Sequence, residues 1–144
     1  MTDERFTPRP VAGWYMIAAI ASLLFMALGC AMYVMHVTAD PESIPLDQRA
    51  AYAAEPLWVT AANAVAVWVG LAGALMLVLR RKLAQPLLLV SVIAVLVWLA
   101  GLILVPGLRE AISANDLAVA VVVAAITWTI FWFARHSRQR GWLR

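Results

Sequence analysis

Four long apolar runs occupy most of the chain: Val11–Met35, Leu57–Leu79, Leu83–Val105 and Leu117–Ala134. A helix rises ~1.5 Å per residue, so roughly 20 apolar residues cross ~30 Å of hydrocarbon. Each run is near that length. A soluble helix needs a polar face, yet Leu83–Val105 offers Gln85 and Ser91 as its sole polar positions. A soluble four-helix bundle therefore fails on pattern. Hydrophobic residues at 65% and charged residues at 13% point the same way, against roughly 45–50% and ~25% in soluble domains. The expected fold is all-α, an antiparallel four-helix transmembrane bundle forming one integral membrane domain over residues 1–144. Its spans are predicted at about residues 11–37, 57–79, 83–105 and 115–135.

A net charge of +3 could suggest nucleic acid, but the placement of the charge argues for lipid. Nine of the eleven basic residues lie in three places. These are Arg5 and Arg9 before the first run, Arg80-Arg81-Lys82 between the second and third, and Arg135, Arg138, Arg140 and Arg144 after the fourth. The other two connections hold Arg49 and Arg109 among Asp40, Glu42, Asp47, Glu55, Glu110 and Asp116. With four spans, the basic places fall on one side of the bilayer. Flanking basic residues are retained in the cytoplasm, which predicts that both termini are cytoplasmic. The predicted partners are the lipid bilayer and either further copies of the chain or another membrane protein, not nucleic acid.

The first run is too long for a signal-peptide core of about 7–15 residues. Ala27-Leu28-Gly29-Cys30 resembles a lipoprotein cleavage box, but the apolar run continues through Met35 instead of turning polar. The sequence therefore reads as an uncleaved span, with any modification of Cys30 left open. A single cysteine rules out an internal disulfide and thiol-pair redox chemistry within one chain. Ten arginines against one lysine suggest a GC-rich bacterial genome and hence an inner-membrane location.

The first ten residues, with Pro8 and Pro10, read as a short tail. Trp14 and Tyr15 then sit where amphipathic rings prefer the headgroup level. In the longest break, Asp40-Pro41 reads as a helix cap with proline in the first turn. Leu46, Ala50, Ala53 and Leu57 recur at helical spacing, which predicts a short amphipathic helix over Leu46–Ala54 on the outer membrane surface. Ala66, Gly70 and Ala74, with Gly73 beside them, form a small-residue face for close helix packing. Pro106-Gly107 reads as the end of the third span, and Ser113, Asn115 and Asp116 offer caps for the fourth.

Chemistry-bearing residues are sparse. The interiors of the runs contain no Asp, Glu, Lys or Arg, which are the usual marks of proton relays and ion-coupled carriers. His36 and His136 fall at opposite ends of the bundle, roughly 30 Å apart, and cannot share a metal or haem iron in one chain. No cofactor or metal is expected, and no catalytic residue is assigned. Asn63, with Thr60 one turn away and Trp68 beyond, is the candidate polar intramembrane site. An interhelical hydrogen bond is its simpler role. His36 with the outer carboxylates would be the place for any enzyme chemistry, although nothing in the sequence fixes Asp40, Glu42, Asp47 and Glu55 together.

The stretch Tyr52-Ala53-Ala54-Glu55-Pro56-Leu57-Trp58, the run Ala64-Val65-Ala66-Val67-Trp68 leading to Gly70 and Gly73, and the basic turn Arg80-Arg81-Lys82 carry a resemblance. With Arg140-Gly141-Trp142-Leu143-Arg144, they resemble a scattered family of small four-span bacterial inner-membrane proteins. Members often bear the label "sugar transporter". Where that family implies polar residues midway along the third span, this chain has Trp98 and Leu99, and no functional residue carries over. Two readings follow: a non-enzymatic subunit or accessory protein acting by association, and an oligomeric transporter of an uncharged small solute such as a sugar.

Overall fold

The structure is a computed structural model that describes residues 10–144. Arg5 and Arg9 lie outside the described residues. Four long helices alternate in direction: α1 (Tyr15–Val37), α3 (Leu57–Val78), α4 (Ala84–Leu104) and α6 (Ala114–Gln139). Two short ones, α2 (Leu46–Ala54) and α5 (Pro106–Ala111), cap one end. All four long helices have the length and composition to cross a membrane. Their outward faces are apolar as well. Ile17, Leu24, Leu28, Leu104 and Val119 are each more than half exposed, which in water would be an aggregating surface. The protein is a multi-pass membrane protein.

The antiparallel pair α3–α4 is the centre of the bundle, with α1 packed on α3 and α6 on α4. Small residues make this possible. A Cβ added at Gly73 would stand 2.8 Å from Leu88 Cγ and 3.2 Å from the Leu88 backbone nitrogen. One added at Gly70 would stand 2.7 Å from both Met26 Sδ and Ser91 Oγ. Ala66, Gly70, Gly73 and Ala74 are all buried, so this face joins helices within the chain. The few polar side chains here serve backbone carbonyls. Ser91 donates to Ala66 O across the α3–α4 seam at 2.7 Å, and the Cys30 thiol donates to Val67 O across α1–α3 at 3.2 Å. Ser22, Thr127 and Thr129 bond carbonyls four residues earlier on their own helices.

Helix ends depart from the expected boundaries in instructive ways. The first helix starts at Tyr15, not at Val11. The fourth long helix outruns its apolar stretch by five residues, from Ala134 to Gln139, and stops in a Schellman turn. Gly141 adopts φ +73°, its N–H meets Arg138 O at 3.1 Å, and the Trp142 N–H reaches Ser137 O at 3.0 Å. α3 ends in the same way, but Arg80 stands at the left-handed position with φ 57°. The Arg81 N–H then closes on Met76 O at 2.8 Å.

One local expectation is corrected and a second is extended. Asp40-Pro41 does not start a helix; it opens a turn in which Asp40 Oδ1 accepts the Glu42 N–H and Asp40 O accepts the Ser43 N–H. The competing side-chain bond is what aspartate offers best in turns. Pro106-Gly107 ends α4 but also begins α5, because proline at the first position has its φ preset for a helix and loses no bond there. Ser113 then caps α6, accepting the Asp116 N–H at 3.1 Å.

Candidate functional site

Helix α2 docks at the acidic end through Ala51 and Ala54, which pack with Leu108 of α5 and Val59 of α3. Its other stripe, Leu46, Ala50 and Ala53, stays exposed. This docking carries Tyr52 and Glu55 to the last turn of α1. His36 Nε2 lies 2.9 Å from Glu55 Oε2, and Thr60 Oγ1 donates to Glu55 Oε1 at 2.9 Å. The Tyr52 ring lies against the His36 ring at 4.4 Å between centroids. Of the four loop carboxylates, the fold selects Glu55, which Pro56 fixes just ahead of α3. The other three, Asp40, Glu42 and Asp47, remain exposed.

Burial pushes the Glu55 carboxyl upward, but the hydrogen bonds from His36 and Thr60 and the charge of His36 outweigh it. The net effect holds Glu55 below the usual carboxylate range. A depressed carboxyl favours the folded state above the ordinary glutamate value and loses that contribution as pH falls through the lower folded value. The wild-type protein should therefore lose thermal stability on acidification below about pH 4. A Glu55→Gln variant should lack that acid step and be less stable at neutral pH by about 1 kcal/mol, because His36 remains partly exposed. Melting curves of both proteins from pH 7 to pH 3 measure this.

The cluster joins three segments, but its chemistry is limited. One imidazole, one carboxylate, one hydroxyl and one phenol hold the end of α1 against α2 and α3. His136 is at the other end of the bundle, stacked on Trp132 at 5.4 Å.

The three candidate intramembrane residues do not converge. Thr60 is turned to Glu55. Asn63 lies on the inward side of α3, half-buried, with no side-chain hydrogen bond among the described residues. Trp68 is 48% exposed on the outward side. At about 100° per residue, five positions separate Asn63 and Trp68 by about 140° around the helix. Two open surface clefts also lie elsewhere. One of ≈ 250 Å³ is lined by Leu102, Arg109, Ile112 and Leu117, and one of ≈ 340 Å³ by Leu104, Pro106 and Glu110. Neither touches Asn63.

A second polar assembly, at the basic end, escaped the sequence reading. Beyond the Gly141 turn the chain folds back, and Trp142 and Leu143 are buried. Trp142 makes edge contacts with Trp14, Tyr15 and His136 at 5.7, 5.9 and 5.8 Å. Arg80 Nε donates to Trp142 O at 3.1 Å, while Tyr15 Oη donates to Leu77 O at 2.6 Å. This clasp ties the start of α1, the α3–α4 turn and the end of α6 together. Its signal in the sequence was glycine followed by a large apolar residue just after an arginine-rich helix end.

Compared with known proteins, the chain matches no family model, no curated protein and no solved structure.

Proposed function

We propose that the protein is a non-enzymatic subunit or accessory factor of a bacterial inner membrane, acting by association with itself or with another membrane protein. Both termini then face the cytoplasm, as the basic end implies. One observation carries the reading. The seams where a solute path would run, among α1, α3 and α4, are filled. Gly70 has Met26 and Ser91 against it, Gly73 has Leu88, and the hydroxyl and thiol there are committed to backbone carbonyls. Crosslinking in native membranes tests it. A discrete homo-oligomer or partner adduct is expected, and strictly monomeric protein at native abundance would overturn it.

One observation favours the solute-carrier reading, in which the resemblance to proteins labelled "sugar transporter" would have meaning. Asn63 is an amide within a membrane helix with no side-chain hydrogen-bond partner among the described residues. Such a group seeks either a neighbouring helix or a polar ligand. Uptake of a sugar by reconstituted vesicles that Asn63→Leu abolishes would support the carrier; an adduct through position 63 would support association.

A further inference from the structure

We infer that the elbow between α4 and α6, at the acidic end, binds a zwitterionic phospholipid whose headgroup carries a primary ammonium. Arg109 takes the phosphate and Glu110 takes the ammonium. The two acyl chains lie in the clefts that meet at Ile103. These clefts, of ≈ 250 Å³ and ≈ 340 Å³, share two lining residues, Ile103 and Arg109. A diacyl lipid has the same plan, with one headgroup above two apolar chains.

The clefts follow from how α4 ends. Val105 turns extended ahead of Pro106, as a residue before proline prefers, and the chain spends six residues in α5 before α6 begins at Ala114. The detour replaces a tight hairpin and leaves the last turn of α4 uncovered. Ile103 and Leu104 are 41% and 73% exposed there, while Leu102 is buried and Leu117 half-buried.

The rim chooses the headgroup. Arg109 and Glu110 are neighbours on α5, both exposed and both lining the larger cleft. Among the described residues the one ion pair joins His36 to Glu55, and neither Arg109 nor Glu110 has a side-chain hydrogen bond. Of the described residues, this end of the bundle holds Asp40, Glu42, Asp47, Glu55, Glu110 and Asp116 against Arg49 and Arg109. That excess of carboxylates repels a purely anionic lipid. A zwitterion instead sets its phosphate on the Arg109 fork and its ammonium beside Glu110. A primary ammonium donates up to three hydrogen bonds, whereas a choline group has no N–H to donate. Depth fits as well. Trp58, 49% exposed, lies against Gly101 one turn before the cleft, and such rings settle at the headgroup level.

The experiment uses the full chain in a neutral detergent, with retained lipid counted by native mass spectrometry. Wild-type protein should retain phosphatidylethanolamine over both phosphatidylcholine and phosphatidylglycerol by about tenfold, the effect of one charge-assisted hydrogen bond. Glu110→Gln should bring phosphatidylethanolamine down to the level of phosphatidylcholine and leave the latter unchanged. Arg109→Gln should lower both, because both carry the phosphate. Arg140→Gln, altered at the basic end, should keep the wild-type preference. Lipid-free, the Arg109 and Glu110 variants should melt with wild type, since neither side chain has a protein partner to lose. Equal retention of the three lipids by wild type would overturn the proposal. So would an undiminished preference in Glu110→Gln, or displacement of the lipid by an equal concentration of glycerophosphoethanolamine, which has the headgroup without the chains. Failure here leaves the crosslinking result untouched, since that concerns protein association.

Discussion

A Gly73→Leu protein is expected to lose the α3–α4 seam and with it most of its stability in mild detergent. Even the first added carbon would meet Leu88 Cγ at 2.8 Å and Cδ2 at 3.0 Å. The Leu88 side chain could swing aside, but its backbone nitrogen, 3.2 Å from the same point, moves only with α4 itself. Overpacking of a core typically costs about 1–3 kcal/mol, and a clash with a helix backbone belongs at or above the upper end. Thermal or denaturant unfolding should show a loss of about 3 kcal/mol. Ala61→Leu, on an exposed position of the same helix, should stay within about 0.5 kcal/mol of wild type. The smaller Gly73→Ala should be partly rescued by Leu88→Ala, which removes the two closest atoms and leaves the backbone contact. A double-mutant cycle measures that coupling.

Trp142→Ala should release the clasp at the basic end. The indole is 7% exposed and touches three rings, those of Trp14 just ahead of α1, Tyr15 in α1 and His136 in α6, so its removal opens a large gap with little to collapse into it. Truncations of this kind cost about 3–5 kcal/mol. Here the loss falls at one end of the bundle. Arg80 would keep its left-handed backbone while losing the ordered Trp142 carbonyl that holds its side chain. Brief trypsin treatment should then cut after Arg138 or Arg140 much faster than in wild type, and the melting temperature should drop. Tyr15→Phe, which loses the Leu77 bond but keeps the ring packing, should show a smaller loss of about 1 kcal/mol and slow cleavage.

The spans were legible because hydrocarbon imposes a length on any helix that crosses it, and runs such as Leu57–Leu79 carry that length in composition alone. α2 was legible for a related reason: Leu46, Ala50 and Ala53 repeat at helical spacing. α5 was not, since six residues starting with Pro-Gly are too few for a period and look like a stop. The extension of α6 to Gln139 was hidden because backbone hydrogen bonds continue through Arg135–Gln139 without apolar side chains. The candidate site fared differently at each residue. Asn63 and Thr60 do share the acidic half of α3, but Trp68 was grouped with them by proximity in sequence, which ignores the turn of the helix. Glu55 could not be chosen from four carboxylates, because pairing it with His36, nineteen positions away, depends on how α2 docks. The bond from Arg80 to the Trp142 carbonyl is longer range still, and it exists because Gly141 reverses the chain.

The central claim is an even number of crossings that sorts acidic and basic ends to opposite faces. Impermeant maleimide labelling of sealed, oriented vesicles tests it directly, using single cysteines on a Cys30→Ser background. Gln48→Cys and Glu110→Cys should label from one face, and Lys82→Cys and Gln139→Cys from the other. Labelling of Gln48→Cys and Gln139→Cys from the same face would contradict the bundle described here.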